Sequence, residues 1–313
     1  MSSRIARQPI RVALRLVGAT SVAMTVLCSS TGLAAAPAAL SAVDRAATAT
    51  AQAVAGAAEQ IGPVPAAPVV DATSLAGCDV EVLQRLVASN KNASQWIITI
   101  VPTAGSTSGT LAIATVRAGR WTCTLTSTVA QVGRQGVRPF LQRRSGDGTT
   151  PGGIFPLGVV STPQGPISFF GNSADPGALG AYRRVQPGDC YGANPNTAGY
   201  GHWRVDTRGC TGDDELLARN VKAYEHAVLI GANTEPNVSG DAAGETAYAA
   251  AIFLHRTTYN GSTPKPTSGC VSIPHDQLVT AVRTIDPALD PHFAIGTRAD
   301  LLATQPRSAL PVR

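Results

Sequence analysis

The chain of 313 residues is 44% hydrophobic, 14% charged and 5% aromatic, enough apolar material for one large domain or two small ones, which excludes disorder as a description of the whole. Its low charge, with 31 glycines and 22 prolines, favours strands and tight turns over a helical bundle or coiled coil. Of the net charge of +5, four units come from Arg4, Arg7, Arg11 and Arg15, so the rest of the chain carries only +1; no basic patch that tracks phosphates remains, and nucleic acid is not an expected partner.

Those four arginines are followed by an apolar stretch over residues 16–27 and small residues over 33–39, the three-part layout of a secretory signal. The apolar part falls short of the roughly 20 residues a membrane helix needs. Residues 1–38 are therefore expected to be a cleaved signal, with cuts after Ala36, Ala38 or Ala42 all compatible. The mature protein is expected to be exported, to the cell wall, a periplasm-like space or the medium, without stable membrane insertion and as a monomer. Residues 39–76, rich in Ala, Val, Pro and Thr, read as a linker.

Residues 79–88 place Val80, Leu83, Leu86 and Val87 on one helical face behind Asp79 as N-cap, within an N-terminal helical element over 77–93. The period then changes. Strands are expected over 96–101, 110–117 and 120–129, with Ala118-Gly119 as the hairpin turn between the last two, and again over 154–160, 226–230 and 249–255. Further helices are expected over 213–224 and 274–285. The fold class is thus mostly β with a few helices, in a main domain over 94–300 followed by a tail over 301–313.

Cysteine counting sharpens the functional question. Loss of Cys28 with the signal leaves five in an oxidising compartment, so one thiol stays unpaired. Cys190 and Cys210 flank a loop rich in Gly, Asn and Tyr, and Cys78 and Cys123 are placed to clamp the N-terminal helix onto the sheet. These are the disulfide candidates, and Cys270 is left over. The apolar strand ending at His255 precedes Thr267-Ser268-Gly269-Cys270 by a loop rich in Gly, Ser, Thr and Pro. A thiol attacks a carbonyl as thiolate, and a histidine beside it supplies the base. Gly269 permits close backbone approach, so that the N–H groups of Gly269 and Cys270 face a developing oxyanion. The dipole of the helix beginning near Pro274 is expected to lower the thiol pKa. Thr267, Ser268, Ser272 and Tyr259 are candidate substrate contacts. The five histidines show no metal-ligand spacing, and neither metal nor organic cofactor is expected.

The order His255, loop, Thr267-Ser268-Gly269-Cys270 resembles the signature of the YkuD-type L,D-transpeptidases of bacterial cell walls. Gly146-Asp147-Gly148-Thr149-Thr150-Pro151-Gly152-Gly153-Ile154-Phe155 is similar to that family's Gly-Asp-Gly-x-Thr-Pro segment, and residues 224–233 are similar to the strand before its active-site histidine. The resemblance covers roughly residues 94–297. It implies a β-sandwich or barrel catalytic domain in which Cys270 attacks the third residue of a peptidoglycan tetrapeptide stem, releases D-Ala and forms a thioester. An amine from a second stem then completes a 3-3 crosslink, with His255 as base; with water as acceptor the same site is an L,D-carboxypeptidase. Two positions depart from the family: Ser268 stands where a second histidine is usual and Ser272 where Arg or Asn is usual. These departures keep a non-catalytic wall-binding protein of the same fold as an alternative.

Overall fold

Residues 68–206 and 210–303 are described in the computed structural model; the expected signal with Cys28, most of the expected linker and the end of the expected tail lie outside them. Helical spacing in the first described element produces α1 (Val80–Ser89), whose Asp79 cap accepts a hydrogen bond from the Val82 N–H at 3.0 Å. It buries Val82, Leu83 and Leu86, each fully buried aliphatic side chain being worth about 2 kcal/mol. The chain in front of it is not all linker. Val69 bridges to Arg120, and Leu75, in the short 3-10 turn Ala72–Leu75, is fully buried with the α1 residues.

Next come three long strands, β1 (Gln95–Val101), β2 (Ser108–Arg117) and β3 (Arg120–Gln131), each longer than expected but with the expected hairpin. Ala118 (φ 48°) and Gly119 (φ 73°) both take the left-handed backbone that a two-residue turn matching the strand twist requires. The following strands have three residues each apart from the seven-residue β5: β4 (Val137–Pro139), β5 (Thr150–Pro156), β6 (Val160–Thr162), β7 (Gly165–Ile167), β8 (Phe169–Gly171) and β9 (Tyr182–Arg184). A small sheet then forms from β10 (Asp189–Tyr191), β11 (Trp203–Val205) and β12 (Glu215–Leu216), with β10 in the middle. The chain returns to the main sheet with β13 (Ala227–Leu229) and β14 (Phe253–Arg256). A ribbon of β15 (Tyr259–Asn260) and β16 (Thr263–Pro264) leads to β17 (Val271–Ile273), α2 (His275–Thr284), β18 (Pro291–Thr297) and α3 (Arg298–Ala303).

The main sheet runs β4-β5-β18-β1-β2-β3-β17-β14-β13-β8-β9. An additional bridge pairs Leu157, just after β5, with Ile230, just after β13, and hydrogen bonds of 2.9 Å from Gly158 to Leu229 and from Gly231 to Pro156 flank it. The stretch from β5 to β13 is therefore drawn round on itself. Its inside holds one core, in which Ile97 and Val101 of β1, Phe155 of β5, Val228 of β13 and Leu254 of β14 meet Leu278, Ala281 and Val282 of α2. Period-two alternation puts the other face of β1, Trp96 and Ile98, under α1 and α3.

The structure corrects several expectations. Residues 213–224 are not a helix: Glu215 and Leu216 pair with Tyr191 and Cys190, and the Asp214 carboxylate accepts from Ala193 N–H, Asn194 Nδ2 and Arg204 Nη1. The strand expected over 154–160 begins earlier, at Thr150, and breaks after Pro156. The strand expected from 249 starts only at Phe253, because Ala251 takes a left-handed backbone (φ 55°).

Candidate functional site

β14 and β17 lie side by side and parallel, with Leu254 opposite Val271 and His255 opposite Ser272. That register puts Cys270 opposite Phe253. Because side chains alternate, Phe253, His255, Cys270 and Ser272 all belong to one face of the sheet. The thiol of Cys270 accepts a hydrogen bond from the Phe253 N–H at 3.4 Å and donates to the Ala251 carbonyl, also at 3.4 Å. His255 donates from Nδ1 to the Arg256 carbonyl at 2.8 Å, which fixes the ring and leaves Nε2 as the basic nitrogen. Both side chains are only 7% exposed.

Over them lies an aromatic cluster. The Tyr224 ring stands edge-on to His255 at 5.5 Å and to Phe253 at 5.7 Å, and its hydroxyl donates to the Glu215 carboxylate at 2.7 Å. Tyr191 and Trp203, from the three-stranded β10–β12 sheet, and Leu217, just after β12, pack into the same cluster as Cys270. Tyr191, Tyr200 and Trp203 are thus packing residues around the Cys190–Cys210 crosslink rather than an open stacking surface.

Burial decides the electrostatics. It pushes the Cys270 thiol up to about 12, helped by the Glu215 carboxylate and opposed by the Phe253 N–H and the Arg143 charge. His255 is pulled down to about 4, again by burial, against the contrary effect of its bond to Arg256. The closed site therefore holds a neutral thiol and a neutral imidazole. The expected lowering of the thiol pKa is not what results: α2 begins five residues beyond Cys270, and burial raises the thiol instead.

The loop that carries Cys270 is held from behind by the Gly-Asp-Gly-Thr-Thr-Pro segment. The Cys270 carbonyl accepts from Thr267 Oγ1 at 2.6 Å and from Thr150 Oγ1 at 3.2 Å; Thr150 Oγ1 also accepts from the Gly133 N–H at 2.8 Å. Asp147 accepts from the Thr149 N–H at 2.9 Å and from its hydroxyl at 2.6 Å. With Thr149 1% and Thr150 0% exposed, this motif is not a surface turn but the support of the loop. Gly269 has φ 156°, and a Cβ there meets Arg143 Nη2 at 2.7 Å. Gly269→Ala is expected to cost about 2 kcal/mol in urea unfolding, through backbone strain and overpacking, and to slow modification of Cys270.

The other expected site residues are dispersed. The Gly269 N–H donates to Thr267 Oγ1 at 3.1 Å, so of the expected oxyanion pair it is already spent inside the loop, and the Cys270 N–H is the remaining donor. Thr267 works on backbone. Ser268 is exposed and accepts from Arg134 Nη1 at 3.1 Å. Ser272, 1% exposed, accepts from Thr257 Oγ1 at 3.4 Å. Tyr259 is 49% exposed on the β15–β16 ribbon, opposite Pro264. Arg183 is spent on Asp189 through bonds of 2.9 and 2.7 Å.

The disulfides pair as expected, Cys78–Cys123 and Cys190–Cys210, and Cys270 is the free cysteine among the described residues. No group of three or more His, Cys, Asp or Glu side chains among the described residues converges as metal ligands do. Sequence reasoning missed Arg143, Glu215 and Tyr224. Only the arginine left a signal, as part of the Arg143-Arg144 pair just ahead of Gly146. Comparison with protein-family models, with curated proteins and with solved structures finds no match to this chain.

Proposed function

We propose that the chain is an exported cysteine acyltransferase acting on peptidoglycan tetrapeptide stems, an L,D-transpeptidase that forms 3-3 crosslinks. The observation that carries this is the free thiol of Cys270 on the same sheet face as His255, whose Nδ1–H is tied to the Arg256 carbonyl so that Nε2 is the base. The motif resemblance adds the substrate class.

In the reaction, His255 Nε2 takes the thiol proton as sulfur attacks the carbonyl carbon of the third stem residue. The oxyanion meets the Cys270 N–H. As the C–N bond breaks, His255 returns the proton to the departing D-Ala amine, leaving a thioester. The acceptor amine then attacks the thioester, giving its proton to His255, and the thiol is restored. Water in place of the amine trims the stem instead. Since both reacting groups are buried, entry of the stem has to displace part of the aromatic cover, and the proton transfer that costs most in the closed site becomes accessible once the site is filled and rehydrated or paired.

Mass spectrometry after incubation with a tetrapeptide stem or a carbapenem tests this. The expected result is a covalent adduct on Cys270 that is lost in Cys270→Ala and forms at least about a hundredfold more slowly in His255→Ala at pH 7, the lower end of the range for a positioned base. Equal labelling of His255→Ala refutes the base assignment. Absence of any adduct on the folded chain favours the non-catalytic wall-binding alternative, for which the closed, neutral thiol is the supporting observation.

A further inference from the structure

Ser272 occupies a position where the resembled family usually has Arg or Asn, and it is buried and bonded to Thr257. A cation nevertheless reaches the nucleophile loop from another part of the chain. Arg143, 3% exposed, lies behind the loop: its Nε donates to the Thr149 carbonyl at 2.7 Å and its Nη2 to the Ser268 carbonyl at 3.4 Å. The second bond grips the peptide two residues before the thiol. Nη2 also fills the space that a side chain on Gly269 would need. Asp147 is its counter-ion at 3.3 Å from Nη1, but that carboxylate is shared with Thr149, Arg144 and Arg138.

We propose that Arg143 is the positioning residue of the nucleophile, acting from behind the loop, so that its guanidinium both fixes Ser268-Gly269 and supplies the positive field in which the Cys270 thiolate forms. A buried arginine keeps its charge, and a fixed charge in a dewatered site acts far more strongly than in water. Several groups set the field at the sulfur. Glu215, on β12, opposes the thiolate; Arg143 favours it; Tyr191, Tyr224 and His255 are the other titratable groups packed there. Arg143 in turn faces Asp147, Arg138, Tyr200 and Cys270. As a deepening of the acyltransferase reading, this role rests on Cys270 being the nucleophile. The thiol's own titration reports it without any stem peptide.

The experiment is the rate of Cys270 alkylation by iodoacetamide against pH, on the disulfide-intact chain, with urea unfolding measured in parallel. Arg143→Gln is expected to move the midpoint of the profile up by about one unit, so that the rate at a fixed pH below it falls about tenfold. Arg143→Lys, which keeps the charge, restores most of that rate. Asp147→Asn leaves Arg143 less compensated and moves the midpoint down, which keeps the test decisive should the glutamine variant not fold. Variants that lose stability without moving the midpoint, or a wild-type thiol that reacts only on global unfolding, overturn the proposal. A shifted midpoint in a chain that forms no adduct with stem or carbapenem sinks the acyltransferase reading and leaves the role of Arg143 standing.

Discussion

The free energy of unfolding is expected to hold a plateau between about pH 6.5 and 9 and to fall on both sides of it, because the two buried groups of the site resist charging. On the acid side, His255 titrates at about 4 in the folded chain against 6.5 when unfolded. In that interval the unfolded chain binds a proton that the folded one refuses, so stability present above 6.5 is lost as pH falls through 4, to the extent of about 3 kcal/mol. On the alkaline side, Cys270 titrates at about 12 folded against 9.0 unfolded. There the unfolded chain releases a proton that the folded one keeps, so stability present below 9 is lost as pH rises toward 12, by about 4 kcal/mol. Urea titrations at stepped pH check both limbs. His255→Gln is expected to flatten the acid limb relative to wild type and Cys270→Ala the alkaline one. Parallel curves for variant and parent on either limb refute the corresponding assignment.

Removing the Cys78–Cys123 bridge is expected to be the most destabilising change away from the site. The bridge closes a sequence separation of 45 residues, and in the chain-entropy account a loop of that size is worth about 4 kcal/mol. It joins the chain just before α1 to β3, and the cluster it borders includes Trp96, Trp121 and Leu301 from otherwise separate elements. The double variant Cys78→Ser/Cys123→Ser, followed by urea unfolding, should lose stability of that order while alkylation of Cys270 keeps its pH profile. A loss below about 1 kcal/mol contradicts the loop-entropy account for this bridge. Cys190–Cys210 spans only 20 residues and staples the small sheet over the thiol, so its removal is of smaller consequence for the domain as a whole.

Local signals in the sequence were legible and non-local ones were not. The hairpin from β2 to β3 is encoded within two dozen neighbouring residues, and the cap of α1 by Asp79 within four. Both appear as expected. Residues 213–224 carry a helical spacing, yet Leu217 is fully buried beside Phe253 while Val221 is 55% exposed. Pairing with Cys190 and the demands on Asp214 outcompeted local propensity there. Strand β18 gave no warning, since Pro291 at its start, His292 and Gly296 obscure any strand pattern in its seven residues; its place between β5 and β1 is set by pairing with distant segments. At the site, Cys270 was traceable by cysteine counting and His255 by its place at a strand end. Arg143 and Glu215 approach the thiol from segments far away in the chain, and no spacing rule connects them to it.

The pairing of β1 with β18 sets a constraint on how the molecule comes into being. Gln95 lies opposite Pro291 and Val101 opposite Thr297, so one neighbour of the first long strand is nearly the last piece of the domain to be synthesised. Loop-closure entropy must be met before that contact repays it, which places the protein among slow folders. Until residue 297 has left the ribosome, one edge of β1 stays open, and the growing chain has no finished sheet in which to bury Trp96, Ile97 and Ile98.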